Sequence, residues 1–202
     1  MRVSEHEQRT DGWYMERLGK PTASSFHRII TPTGKSAAGT DAYVNELVAE
    51  IITGKRVEIP VTAAMQRGTD LEPEARETYE LITGEKVFEI GLCLHDDLDC
   101  GASPDGLVGD DGLLEIKCPI ASTMVGYLRD GDDKLPSKYI PQCQGQLWIT
   151  GRKWLDFVAY HPDMRIVMAR VERDESYIEL LEECVSAACK TIQRAAKTFR
   201  SE

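Results

Sequence analysis

Residues 105–108 and 113–118 are two short, largely apolar runs separated by the turn residues Asp110-Asp111-Gly112, and the second run carries Glu115 and Lys117 inside it. A pair of apolar runs around such a turn reads as a β-hairpin. Side chains alternate across a strand, so Glu115 and Lys117 share one face while Leu114, Ile116 and Cys118 take the other. The apolar neighbours bury this strand on at least one side. Charge placed in such a strand requires an opposite charge, hydrogen-bond donors or a metal ion, because bare buried charge is costly. The turn folds Asp105, at the start of the hairpin, back alongside Glu115.

That juxtaposition limits the chemistry. Two adjacent carboxylates repel, and a divalent cation between them removes the repulsion. All-oxygen donors favour Mg²⁺, with Mn²⁺ as a substitute, over zinc. The backbone carbonyl of Ile116 offers a further oxygen. A cation there lowers the pKa of a bound water and stabilises charge on a phosphodiester, and Lys117 beside it can orient or help deprotonate that water. The competing reading is a surface hairpin with a Glu–Lys ion pair and an unrelated Asp. The Pro104-Asp105-Gly106-Leu107 and Leu114-Glu115-Ile116-Lys117-Cys118-Pro119 context, apolar on the opposite face, weighs against it. Spacing alone supports a metal-dependent phosphodiesterase and no more.

The chain has 202 residues, enough for one domain over 1–202 that buries a core without disulfides. Its order of helical and strand patterns is α/β or α+β. Helical patterns cover 22–30, a stretch from Asp41 to Gly54 and one from 62 to 82 with Pro73 inside it. Residues 86–94, 105–108 and 113–118 then read as strands. A short helix from Ser122 to Leu128 and another from Ser137 to Ile149 follow, with Pro141 in the first turn of the latter. Residues 153–160 and 165–171 are strands, and Asp174 caps a long amphipathic helix. No apolar run approaches the roughly 20 residues that span a bilayer, and the first residues are polar, which points to a cytoplasmic protein. The six cysteines lack close C-x₂-C spacing and read as reduced, partly buried side chains. A formal charge of −10 argues against a general DNA-coating protein, so a nuclease of this composition must concentrate positive charge locally.

Three further groups stand out. Asp70, Glu72, Glu74 and Glu77 lie close together, and Glu72 is either a third carboxylate for a two-metal site or solvated helix surface. Tyr139, Gln142 and Gln146 share a helix face, which either turns its amides to the carboxylates or faces solvent. Arg17 precedes the Thr22–Ser25 hydroxyl cluster and would place a guanidinium beside a helix N-terminus, a pattern suited to phosphate.

Taken in order, these blocks resemble the phage lambda-type exonucleases (YqaJ-like viral recombinases) of the PD-(D/E)xK nuclease superfamily. The resemblance runs through Gly12-Trp13, Arg17-Leu18-Gly19 with Thr22-Ala23-Ser24, Gly68 to Arg76, Ser103 to Leu107, Glu115 to Pro119, and Tyr139 to Thr150. It implies a restriction-endonuclease-like core, a central mixed β-sheet flanked by helices. It further implies that Asp105 and Glu115 bind Mg²⁺, as two ions per site, that Lys117 assists the attacking water, and that Glu72 and Gln142 belong to the active site. Arg17, Ser24 and Ser103 become the pocket for a 5′-phosphate. The activity implied is digestion of linear double-stranded DNA from the 5′ end, leaving 3′ single-stranded overhangs for recombination. The partners implied are two further copies in a homotrimeric ring and a single-strand annealing protein. Two alternatives share the features: an endonuclease of the same superfamily, and a non-catalytic DNA-binding or assembly module on a nuclease fold.

Overall fold

The charged hairpin sits at the centre of the protein. In a computed structural model that describes residues 1–57 and 60–200, the chain runs through β1 (Arg2–Val3), α1 (Asp11–Arg17), a 3-10 segment (Ala23–Arg28), α2 (Thr40–Thr53), α3 (Ala63–Thr83), β2 (Val87–Phe88), β3 (Cys93–Leu94) and β4 (Gly101–Ala102). It continues through β5 (Gly106–Val108), β6 (Gly112–Lys117), α4 (Ala121–Asp130), a 3-10 turn (Ser137–Tyr139), α5 (Ile140–Thr150), β7 (Trp154–Ala159), β8 (Val167–Glu172) and α6 (Glu175–Phe199). The main sheet has the order β2-β5-β6-β7-β8, and a second has the order β1-β3-β4. Only the β6–β7 pairing is parallel among those described, so the main sheet is mixed, as the resemblance implies.

Strand parity follows the sequence. Leu113, Leu155, Phe157 and Ala159 pack under α4 and α5 through Met124, Cys143 and Leu147. On the opposite face Leu114, Ile116 and Val158 meet Ala75 and Tyr79 of α3, with Cys118 against them. The strand carrying Glu115 is therefore covered on both faces. A third apolar cluster joins Phe26, Ile29 and Ile30 to α2 and α6. Four of the six cysteines are buried, and all six are free thiols. Among the described residues no helix is long and apolar enough to cross a membrane.

The structure corrects the sequence reading at several points. The reversal between β5 and β6 is made by residues 109–111, with Gly109 at φ +52°. Gly112 is instead a strand residue whose missing Cβ makes room for the Trp154 ring. The single strand expected over 86–94 is two short strands in different sheets. A Cβ on Gly91 would stand 2.6 Å from the carbonyl oxygen of His6, because the N-terminal strand crosses there and Ser4 donates to Leu92. Gly39 rather than Asp41 precedes α2, with Asp41 in its first turn. Pro73 lies within a continuous α3. Pro141 does fall in the first turn of α5, and Asp174 does cap α6 by accepting from Tyr177 N–H.

Gly145 sets how closely α5 approaches the Ala23–Arg28 segment: a Cβ there would lie 2.5 Å from the Phe26 ring, which is fully buried. Gly145→Ala should lower stability in urea unfolding. Overpacking costs about 1–3 kcal/mol, outweighing the roughly 1 kcal/mol of helix propensity that alanine gains over glycine. A variant as stable as the parent would mean that Phe26 can move aside.

Candidate active site

Asp105 immediately precedes β5. Its N–H donates to Leu114 O at 3.0 Å. The register Gly106↔Leu114 then places Asp105 directly across from Glu115, on the same side of the sheet. One Asp105 oxygen accepts from the Ile116 N–H at 2.6 Å, which fixes its carboxylate against the strand.

Glu115 is 1% exposed, and helix α5 supplies much of what makes its burial tolerable. Gln142 and Gln146, one turn apart, donate to Oε1 and Oε2 respectively, each at 2.6 Å. Lys117, two residues along the strand and on the same face, donates to Oε1. The shared face of Gln142 and Gln146 thus points to the carboxylates, not to solvent. The helical spacing of Gln146 from Gln142 marks the shared face but leaves its direction open, and the family resemblance singles out only Gln142. The Gln146 Oε1 is buried with no partner among the described residues, a polar atom turned inward beside Glu115.

The electrostatics follow from this geometry. Burial first, then the facing Glu115 and the nearby Glu72, push the Asp105 carboxyl well above the ordinary carboxylate range, and Lys117 and the Ile116 N–H oppose only part of that. Burial alone would lower Lys117, but Glu115 and Asp105 outweigh it and hold its ammonium above the usual range. The site therefore contains one tightly held proton on Lys117 and one carboxylate that lacks sufficient positive charge.

Glu72 reaches the same region from α3. It pairs with Arg9, and its Oε1 lies 3.4 Å from Arg76. Of the neighbouring acids, Asp70 accepts from Gln66 and Glu74 from Tyr160. Only Glu72 of the four lines the cleft of about 550 Å³ that Ile116, Lys117 and Tyr139 also border. Among the described residues no three acidic, histidine or cysteine side chains are grouped to hold a metal by themselves. The oxygen ligands that would hold a cation are Asp105 and Glu115, just behind the cleft wall, with the carbonyl of Ile116, which lines it. This oxygen-only set, with an undercompensated buried carboxylate, fits a hard divalent cation. Binding it would draw Glu115 away from at least one of its three present donors.

A second cluster lies next to the first along the chain. Arg17 donates to Ser103 Oγ at 3.3 Å and to Thr22 Oγ1 at 3.0 Å, and Thr22 Oγ1 is 3.4 Å from Ser24 Oγ. The Arg17 guanidinium lies 4.1 Å from the Trp13 ring centroid, and Trp13 Nε1 also donates to Ser103. Arg17, Ser24 and Ser103 are therefore brought together. The expected helix beside them is a six-residue 3-10 segment, and Thr22 Oγ1 accepts from Arg17 and makes no capping hydrogen bond. The local attraction for anions thus rests on side chains and not on a helix dipole. Burial lowers the Arg17 pKa to about 10, which leaves it protonated at neutral pH. Arg17 and Ser24 line a cleft of about 350 Å³, and Met65, half-exposed at the start of α3, borders both this cleft and the one at Lys117.

The chain matches the YqaJ-like viral recombinase domain family over residues 12–153. Its structure is similar to the alkaline exonuclease LHK-Exo from Laribacter hongkongensis, with 43% identity, a TM-score of 0.85, and coverage of 94% of this chain and 95% of that one. The same exonuclease in complex with dAMP gives 42% identity and a TM-score of 0.84, with the same coverage. A phage related exonuclease from Haemophilus somnus 129PT shares the fold at 20% identity and a TM-score of 0.61, over 89% of this chain and 96% of that one. No curated protein matches the chain.

Ionising Asp105 penalises the folded state as pH rises past the ordinary carboxylate range, because its folded pKa is raised. Asp105→Asn keeps an acceptor for the Ile116 N–H and removes the charge. In EDTA at neutral pH it should melt higher than the parent, by roughly 2–4 °C for each kcal/mol relieved. Added Mg²⁺ should then stabilise the parent more than the variant. An equal or lower melting temperature for the variant in EDTA would sink the electrostatic account of this site.

Proposed function

The chain belongs to the YqaJ-like viral recombinase family, and from that premise we propose that it is a Mg²⁺-dependent exonuclease degrading linear double-stranded DNA from the 5′ end to leave 3′ single-stranded overhangs for recombination. The observation that carries this reading is the adjacency of the two clusters. Ser103, which accepts from Arg17, is two residues before Asp105, which faces Glu115. Two extended residues span at most about 7 Å, so a terminal phosphate held at Arg17 leaves a bond close to its own nucleotide beside the carboxylates. Such spacing suits removal of single nucleotides from an end.

In this reading Arg17, Ser24 and Ser103 grip the 5′-phosphate, with the guanidinium and hydroxyls donating to its oxygens. Asp105, Glu115 and the Ile116 carbonyl hold the metal, as two ions if Glu72 turns from its arginines to join them. A bound Mg²⁺, or Mn²⁺ in its place, would lower the pKa of a water and neutralise charge at the phosphodiester. Gln142 and Gln146 keep the Glu115 carboxylate in one orientation. Lys117 holds its proton against Glu115 and donates towards the attacking water or a phosphate oxygen. The half-exposed apolar Met65 borders both clefts, where it can displace the paired strand.

The same premise extends to a homotrimeric ring, to a single-strand annealing protein as partner, and to action in the cytoplasm. Local positive charge supports a DNA substrate despite the net charge of −10: in one cleft Arg17, Lys20, Arg28 and Arg56 outnumber Glu46 and Glu50, while Glu179, Glu182 and Glu183 cluster on α6.

The test is Mg²⁺-dependent loss of linear duplex with 5′-phosphate ends, with covalently closed circles left intact and blocking of the 5′ ends by phosphorothioates protecting the strand. Asp105→Ala and Glu115→Gln should each lower the rate by about 10³-fold, the equivalent of several kcal/mol of metal-supplied stabilisation. Efficient cutting of closed circles would favour an internal cutter, and full activity in EDTA would remove the metal from the mechanism.

A further inference from the structure

Arg17 shares its cleft with a second guanidinium that lacks a carboxylate partner among the described residues. Of the other basic groups there, Arg28 is bound by both oxygens of Glu46, at 2.6 and 2.7 Å, and so is neutralised. Arg56 is different. Its guanidinium lies 4.0 Å from the Tyr14 ring centroid, and Tyr14 in turn packs edge-on against Trp13 at 4.9 Å, the ring that carries Arg17. Two neighbouring aromatic rings of α1 thus each support one cation at the wall of one cleft.

One buried side chain ties these two cations together. Glu50, 8% exposed near the end of α2, accepts from Gly19 N–H through Oε2 at 2.9 Å and from Val57 N–H through Oε1 at 3.0 Å. Gly19 lies in the turn just after Arg17, where its φ of +71° lets the chain fold back. Val57 directly follows Arg56. The two oxygens of a single carboxylate therefore fix the backbone next to both arginines, although these are far apart in sequence. Burial does most to lower the Arg17 pKa; beside it Arg56 opposes protonation, while Tyr43, Tyr14 and Glu50 favour it, and an anion between the two guanidiniums would relieve their like-charge repulsion.

We propose that Arg56 is a second phosphate-recognition residue, positioned beside Arg17 by Glu50, and that the pair selects a dianionic terminal phosphomonoester over the singly charged phosphodiester of an internal linkage. The proposal rests on the exonuclease reading for the identity of the ligand. Its physical basis is charge matching. A terminal phosphate carries about −1.5 to −2 at neutral pH, whereas a diester brings a single charge to a cleft where, with Arg28 paired to Glu46, Arg17, Arg56 and Lys20 outnumber the one carboxylate of Glu50. Stacking on a ring keeps each guanidinium oriented without consuming its N–H groups, although Arg17 also gives one N–H each to Ser103 and Thr22.

The test measures binding of a blunt duplex oligonucleotide with 5′-phosphate or 5′-hydroxyl ends, in EDTA so that nothing is cleaved. Wild type should prefer the phosphorylated end, and Arg56→Ala should reduce that preference about tenfold, the scale of a lost charge-assisted hydrogen bond. Arg56→Lys should restore part of it. Glu50→Gln, which keeps one acceptor and replaces the other with a donor, should reduce the preference as well. Combining it with Arg56→Ala should add little, as expected for residues acting as one unit. An unchanged preference in Arg56→Ala, equal weakening for both ends, or no preference in wild type would each overturn the proposal. Cutting of closed circles by wild type would instead remove the exonuclease reading, while a 5′-phosphate preference lost in Arg56→Ala would still stand.

Discussion

The burial of the Glu115 carboxylate in the middle of the sheet constrains most of the structure around it. A nearly inaccessible negative charge is tolerable only if its oxygens are saturated, and three donors from two elements do this: Lys117 on the same strand, and Gln142 and Gln146 on α5. The helix must therefore lie at a fixed height and rotation over β6. Gly145, on the side of α5 that meets Phe26, lets the helix approach the Ala23–Arg28 segment closely. The donor set at Glu115 and the hydroxyl segment at Thr22 to Ser24 are thus held by one packed helix.

Compensation at Glu115 leaves its neighbour short. Asp105 receives a backbone N–H but shares the single nearby ammonium with Glu115, and Glu72 adds further negative charge. The polypeptide holds these carboxylates together at an electrostatic cost because packing of the sheet and helices fixes the backbone. Strain of this kind at a functional site is the usual exchange of stability for activity. Glu72 shows the same tension from the other side, since Arg9 and Arg76 hold it at the border of the cleft.

The second cleft uses a different device. Arg17 and Arg56 are kept in place by aromatic rings and by backbone contacts to Glu50, and among the described residues only Arg28 of its arginines is neutralised by direct ion pairing. A ring holds a guanidinium without using its N–H groups, and of these Arg17 gives one each to Ser103 and Thr22. A chain with a net charge of −10 can in this manner offer local positive potential. Charge is thus sorted by position, and net composition is a poor guide to what the cleft attracts.

Much of this was legible in the sequence where the governing rule is local. The two-residue period of a strand assigned Glu115 and Lys117 to one face and Leu114, Ile116 and Cys118 to the other, and the tertiary structure keeps that division. The helix end at Gly54, the cap at Asp174, and Pro141 in a first helical turn, are likewise short-range preferences. What failed depended on distant segments. Residues 86–94 split between two sheets because Ser4 and His6 cross at Gly91. Thr22 does not cap with its side chain, and its Oγ1 accepts instead from Arg17. The sequence by itself determined the charged hairpin, its facing and its chemical type, since alternation and turn formation need only neighbours. Tertiary structure alone decided that Gln146 saturates Glu115, that arginines hold Glu72, and that Glu50 brings Arg17 and Arg56 to one cleft. Those contacts join residues far apart in the chain, and packing, which no local pattern encodes, sets their distances.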